Sequence, residues 1–238
     1  MNGTAPATIT PSQMKELCAA LPQAIPTDLP FYRADFWLKR KGLLGEKIRE
    51  ILSSVSPTPE IIAIQQQRYL QAFGVELDFS QVQVPPMQPG FSRLLVMAKD
   101  FGPNRYYEVC EKCFPCSRYM QDLDGETRGR NERDWNKTYA IWVRARREAD
   151  KELQSLSAEQ IKEKGIKTLT LAERLWLGLD WWLEKKQHLD VNNITLCAGS
   201  RDSHGCVPHV SWYRGRMRVD WFGPRDDSPR LRARAAVS

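Results

Sequence analysis

The sequence predicts an α+β protein, with a helical N-terminal region followed by a mixed domain that closes on short antiparallel strands. Three observations carry this. Apolar residues recur at helical spacing through the first third of the chain. A capped amphipathic helix stands near residues 171–186. Beyond Val191 the apolar period changes from helical to two. The chain of 238 residues is 42% hydrophobic and 27% charged, which favours a packed core over disorder. Eight Trp residues point to core anchors or binding groups.

Element by element, residues 1–10 read as a tail. Ser12 precedes a short helix, QMKELCAAL, as its N-cap. LPFYRADFWLKRKG follows Asp28, with Gly42 as a stop signal, and LLGEKIREILSSV comes next. A fourth helix starts at Pro59 and stops at Gly74. Residues 75–90 hold three prolines and read as a linker, so the expected division is 1–90, helical region and linker, and 91–238, a second domain. In that domain FSRLLVMA and TYAIWVRA read as strands, a helix opens at Pro103, CSRYMQ is a short strand, and 124–136 is a polar loop. RREADKELQSLSAEQIKEKG reads as a helix broken near 155–157. Thr170 with Glu173 forms a capping box, and Leu171, Leu175, Trp176, Leu179, Trp182 and Leu183 make the stripe of the helix it opens.

The C-terminal segment alternates cleanly through NITLCAGS, HVSWY, RMRVDWF and RLRARAAVS. One set (Val210, Trp212, Met217, Val219, Trp221, Leu231, Ala233, Ala235, Val237) is assigned inward. The other (His209, Ser211, Tyr213, Arg216, Arg218, Asp220, Phe222, Arg232, Arg234) is assigned outward. Composition changes here as well. Residues 1–199 hold 13 Lys, 15 Glu and 13 Gln; residues 200–238 hold none, where about eight would fall at equal density. Folding gives no reason to exclude Lys and Glu from a solvated face while keeping Arg and Asp.

The run LTLAERLWLGLDWWLEKKQHLD, then TLCAGSR, VPHVSW, RVDW and LRARAAVS, resembles the variable proteins of diversity-generating retroelements. LLVMAKDFGPNRYYEVC and YAIWVRARREADKEL share the likeness, which covers about residues 91–238 and leaves 1–90 unplaced. The resemblance implies a C-type lectin fold, two helices packed on small antiparallel sheets. It also implies a non-enzymatic ligand-binding protein without cofactor, encoded beside a reverse transcriptase and a template repeat. In that family the repeat is copied into the 3′ end of the gene with adenines randomised, so an AAC or AAT codon can become any codon ending in C or T. Such codons never encode Lys, Glu, Gln, Met or Trp. The variable segment is then about 200–231. Its expected ligand-binding residues are Asp202, His204, Cys206, His209, Ser211, Tyr213, Arg214, Arg218, Asp220, Phe222, Gly223, Arg225, Asp226, Asp227 and Ser228, all of permitted types. Trp212, Met217 and Trp221 are of excluded types and carry inward assignments. The expected partner is a protein or other macromolecule.

Other constellations weigh less. Cys110, Cys113 and Cys116 have a metal-ligand spacing, but Pro115 interrupts it, so buried thiols are expected and metal ligands are not. The E-P-N, Q-P-D and W-N-D signatures of calcium-dependent sugar binding are absent, and no catalytic triad or phosphate loop is evident. No apolar run is long enough to span a bilayer and no signal peptide is recognisable, which makes a cytoplasmic protein the default expectation. The alternative function is basic nucleic-acid binding. It draws on the net charge of +6 and on eight Arg against four Asp in residues 201–238; the interleaved Asp residues count against it.

Overall fold

The computed structural model describes residues 11–53 and 59–238. The chain divides into two compact units at Ser56/Pro57. The first contains α1 (Pro11–Gln23), α2 (Phe31–Lys39) and α3 (Lys41–Ser53). Gly42 does not stop a helix: the break falls at Arg40, and Gly42 lies inside α3. The Ser12 side chain lies outside the described residues.

The second unit opens with α4 (Pro59–Phe73), so the boundary expected at 75–90 moves upstream. The reason is packing. Tyr69 of α4 is fully buried, with its ring 4.2 Å from Trp176 and 5.4 Å from Phe101. Its hydroxyl donates to Val96 O and accepts from Ala98 N, which leaves Tyr106 as the donor in their 2.6 Å bond. The proline-rich stretch packs too: Phe79 is buried, and Pro85 O accepts from Trp142 Nε1. Prolines that look like a linker in sequence here form a strap along the core.

Then follow β1 (Arg93–Met97), α5 (Pro103–Cys113), β2 (Cys116–Arg118), α6 (Leu123–Thr127), β3 (Tyr139–Val143), a 3₁₀ turn (Lys151–Leu153), α7 (Ala158–Glu163) and α8 (Leu171–Lys185). The chain ends with β4 (Ile194–Leu196), β5 (Val207–Tyr213), β6 (Arg216–Phe222), β7 (Leu231–Ala233) and β8 (Ala236–Val237). The architecture is α+β with two small sheets. One has the order β1-β3-β8 and is antiparallel; the other has the order β2-β6-β5-β4-β7. The second sheet is mixed, because β2 runs parallel to β6 and β4 parallel to β7. The single terminal strand read from RLRARAAVS splits between the sheets, β7 in one and β8 in the other. Helix α8 packs on α5 and reaches β1 and β5, which puts the core between the two sheets. Its capping box forms as the sequence predicts: Thr170 Oγ1 accepts from Glu173 N, and Glu173 accepts from Thr170 N.

Beneath α8 lies a charged network. Asp190 is fully buried, accepts two bonds from Arg174 at 2.9 and 2.7 Å, and takes a third from Arg234 Nη2 at 2.7 Å. Arg234 also donates to the carbonyls of Arg146 and Arg147. Its assignment to the outward face is therefore corrected. It is 2% exposed, because the chain leaves β7 there and turns the guanidinium into the core. Gly178 leaves room for the Arg174 guanidinium: a Cβ on it would stand 2.7 Å from Arg174 Nη1. A second charged core pair, Glu173 with Arg133 (2.5 and 2.7 Å), is joined by the Tyr139 hydroxyl. Burial opposes the charge on Asp190 and on Glu173, but the facing arginines outweigh it and hold both carboxyls below the usual range.

Candidate functional site: the β5–β6 face

β5 and β6 pair as a tight antiparallel hairpin, with Tyr213 opposite Arg216, Ser211 opposite Arg218 and His209 opposite Asp220. Directly opposed residues share a face, so the alternation sorts the two sets as the sequence predicts. The loop is Arg214–Gly215, with φ values of 50° and 75°. Two positive φ values in a two-residue loop match the turn that follows the twist of the strands, and that turn favours Asn-Gly. Arg214 occupies the Asn position.

One face carries Val210, Trp212, Met217, Val219 and Trp221. Val210, Met217 and Val219 are buried, while Trp212 and Trp221 are half-buried and packed against the core. Trp212 stacks on the His188 ring at 3.4 Å and meets Phe114 edge-on.

The opposite face is graded. At the hairpin end Tyr213 is 40% exposed, and Arg214, Arg216 and Arg218 are exposed. Toward the sheet centre His209 and Ser211 are buried, at 7% and 6%. Their assignment as outward contact residues is corrected. The same face continues through Leu196, Leu231 and Ala233, which are all buried, so this end of the face belongs to the core. His209 stacks on the Phe222 ring at 4.2 Å. Loss of water pushes its imidazole pKa down to about 4, and its Nδ1 has no partner among the described residues.

The loop residues divide as well. Asp202 is 4% exposed, and its Oδ1 accepts from His204 N and Cys206 N at 2.8 Å each. It is a loop pin, so its reading as a contact residue is corrected. His204 is exposed and Cys206 half-buried. Gly223, half-buried, donates its backbone N–H to Asp226 at 2.7 Å. Arg225, Asp226 and Asp227 are exposed, Ser228 is half-buried, and Arg225 reaches Glu159 of α7 at 2.9 Å. Asp220 pairs with Arg218. The structure therefore gathers Tyr213, Arg214 and Arg218 at the hairpin end, with Asp220 farther along β6 opposite His209. His204 and 223–228 lie on separate loops, and Asp202, His209 and Ser211 lie inside.

A groove of about 320 Å³ opens at that end, lined by Ser117, Tyr213, Arg214, Arg216 and Arg218. Sequence reasoning missed Ser117 as a site residue. It lies outside residues 200–231, and only the parallel pairing of β2 with β6 brings it opposite Arg218. No local signal in the sequence announces that pairing.

Cys110 and Cys197 are buried, and Cys113 and Cys116 are half-buried. Burial raises all four thiols above their ordinary range. No cluster of three or more His, Cys, Asp or Glu fit to hold a metal occurs among the described residues. Among them, too, no helix is long and apolar enough to cross a membrane. Comparison of the chain with protein families, with curated proteins and with solved structures finds no match.

Proposed function

We propose that this chain is a non-enzymatic ligand-binding protein on a C-type lectin fold, whose C-terminal surface is diversified by a retroelement through adenine mutagenesis. One observation carries the reading. Within residues 200–238 every residue type is reachable from a codon ending in C or T except Trp212, Met217 and Trp221. All three pack into or against the core. The absence of Lys, Glu and Gln from a charged, largely exposed segment follows the mutational rule and has no cause in folding, and the three residues outside the rule stand at core-facing positions. Arg214 adds support. It stands at a left-handed turn position that Asn fills with less strain, and AAC and AAT are the Asn codons that adenine randomisation would act on. Two small sheets with α5 packed against α8 suit the fold. The burial of Asp202, His209 and Ser211 narrows the binding face to the hairpin end and the loops beside it.

The gene tests this directly. Codons ending in C or T are expected at the exposed positions, with an adenine-rich near-copy beside a reverse transcriptase and AAC or AAT at the position matching 214. Purine-ending codons at Arg214, Arg218 and Arg225, with no such copy, overturn the proposal.

A further inference from the structure

The geometry points to the groove at the β5–β6 hairpin end as an oxyanion site that takes carboxylate side chains from an acidic segment of a partner protein. This rests on the ligand-binding reading above and names the ligand class. Three guanidiniums, those of Arg214, Arg216 and Arg218, line one groove together with Ser117 and Tyr213. Arg218 is neutralised by Asp220. Arg214 lies over the Tyr213 ring, 5.2 Å from its centroid, which leaves its charge uncompensated. The Arg216 side chain has no hydrogen bond or ion pair among the described residues. The groove thus carries about two unbalanced positive charges, and bringing like charges together is costly unless an anion joins them.

The donors suit a carboxylate. A guanidinium presents a planar fork of N–H groups that matches two carboxylate oxygens, and the bonds are charge-assisted. Ser117, fixed on β2, adds a hydroxyl donor from a strand outside the variable segment. Tyr213 supplies a rigid wall for the methylene stem of a Glu side chain. The positive region is also compact. Asp220 closes it along β6, and Asp226 and Asp227 stand exposed farther along the segment, so a phosphate backbone finds no continuous basic track.

Fluorescence anisotropy on the full chain tests this with two labelled probes, a deca-glutamate peptide and a deca-thymidine oligonucleotide, at low and high salt. The parent is expected to bind the peptide, more weakly as salt rises. R216E, at an exposed and unpaired position, should weaken binding at least about tenfold with unchanged melting. S117A should weaken it severalfold, and R225A, remote from the groove, should leave it unchanged. R216S serves if R216E melts early. Absence of peptide binding by the parent, equal binding by the parent and a folded Arg216 variant, or tighter binding of the oligonucleotide overturns the proposal. The two readings fail separately. Pyrimidine-ending codons without peptide binding remove only the carboxylate site; purine-ending codons at the exposed arginines with Arg216-dependent peptide binding remove only the diversification.

Discussion

Arg234, just past the end of β7, and Arg216, at the start of β6, do opposite things. Arg234 is 2% exposed and makes bonds to Asp190, Thr195 and two backbone carbonyls. Arg216 is exposed and unpaired among the described residues. With Arg174, the first belongs to a buried network whose members are fixed by one another. With Arg214 and Arg218, the second belongs to a rim that folding leaves largely unconstrained. The difference teaches that side-chain type says little about role here; what decides it is whether a partner waits at the other end of the side chain. A guanidinium in the core must have its donors met, whereas one at the surface meets water and remains available to a ligand.

The largest expected effect breaks the buried side. Arg234→Ala leaves Asp190 with one cation fewer and should cost about 3–5 kcal/mol in denaturant unfolding, the usual result of removing one member of a buried pair. Arg216→Ala should change stability by less than about 0.5 kcal/mol. Equal costs for the two would dissolve the contrast.

Acid probes the boundary between the two regions, where His209 sits. Its pKa in the folded state, about 4, lies below the ordinary 6.5. The unfolded chain therefore binds the proton first, and stability falls as pH drops through the window from 6.5 to about 4. The expected loss from His209 between pH 7 and pH 5 is about 2 kcal/mol. His188, also lowered by burial, acts in the same direction. Asp190 and Glu173 have lowered pKa values, so their contribution is present between pH 7 and pH 5 and is lost in stronger acid. Denaturant melts of the parent and of His209→Gln at the two pH values isolate the histidine; an unaltered slope in the variant would assign the loss elsewhere.

Asp202 sharpens the comparison within the C-terminal segment itself. Asp202→Ala removes the acceptor of two backbone N–H groups and should cost about 1–2 kcal/mol. Asp202→Asn keeps a side-chain oxygen there and should cost much less. Thermal melting distinguishes the two, and similar losses would mean that the charge matters more than the acceptor.

The smallest effects belong to the rim. Arg214→Asn relieves a left-handed residue and should stabilise by up to about 1 kcal/mol. Changing Tyr213, Asp227 and Arg216 together to Ser should move stability by no more than about 1 kcal/mol, because each is exposed and away from the caps and networks. A cooperative transition lost in that triple variant would show that the rim is part of the fold.

The sequence by itself determined the features that depend on near neighbours. The capping box at Thr170 and Glu173, the stop of α4 at Gly74, the tight Arg214–Gly215 turn between two alternating runs and the sorting of β5 and β6 into two faces are all set by residues within a few positions of one another. Tertiary structure decided whatever depends on distant chain. The outward set became part rim and part core because the sheet carries the same face on through β4 and β7, which burial makes dry. Arg234 turned inward because Asp190, 44 residues away, offers a carboxylate there. The residues at 75–90 became a strap because Trp142 and the β1–α8 core need covering. Ser117 reached the groove through a parallel pairing that no local pattern encodes. Alternation reports which way a side chain points from its strand; whether water or protein stands in that direction is fixed only when the rest of the chain has packed.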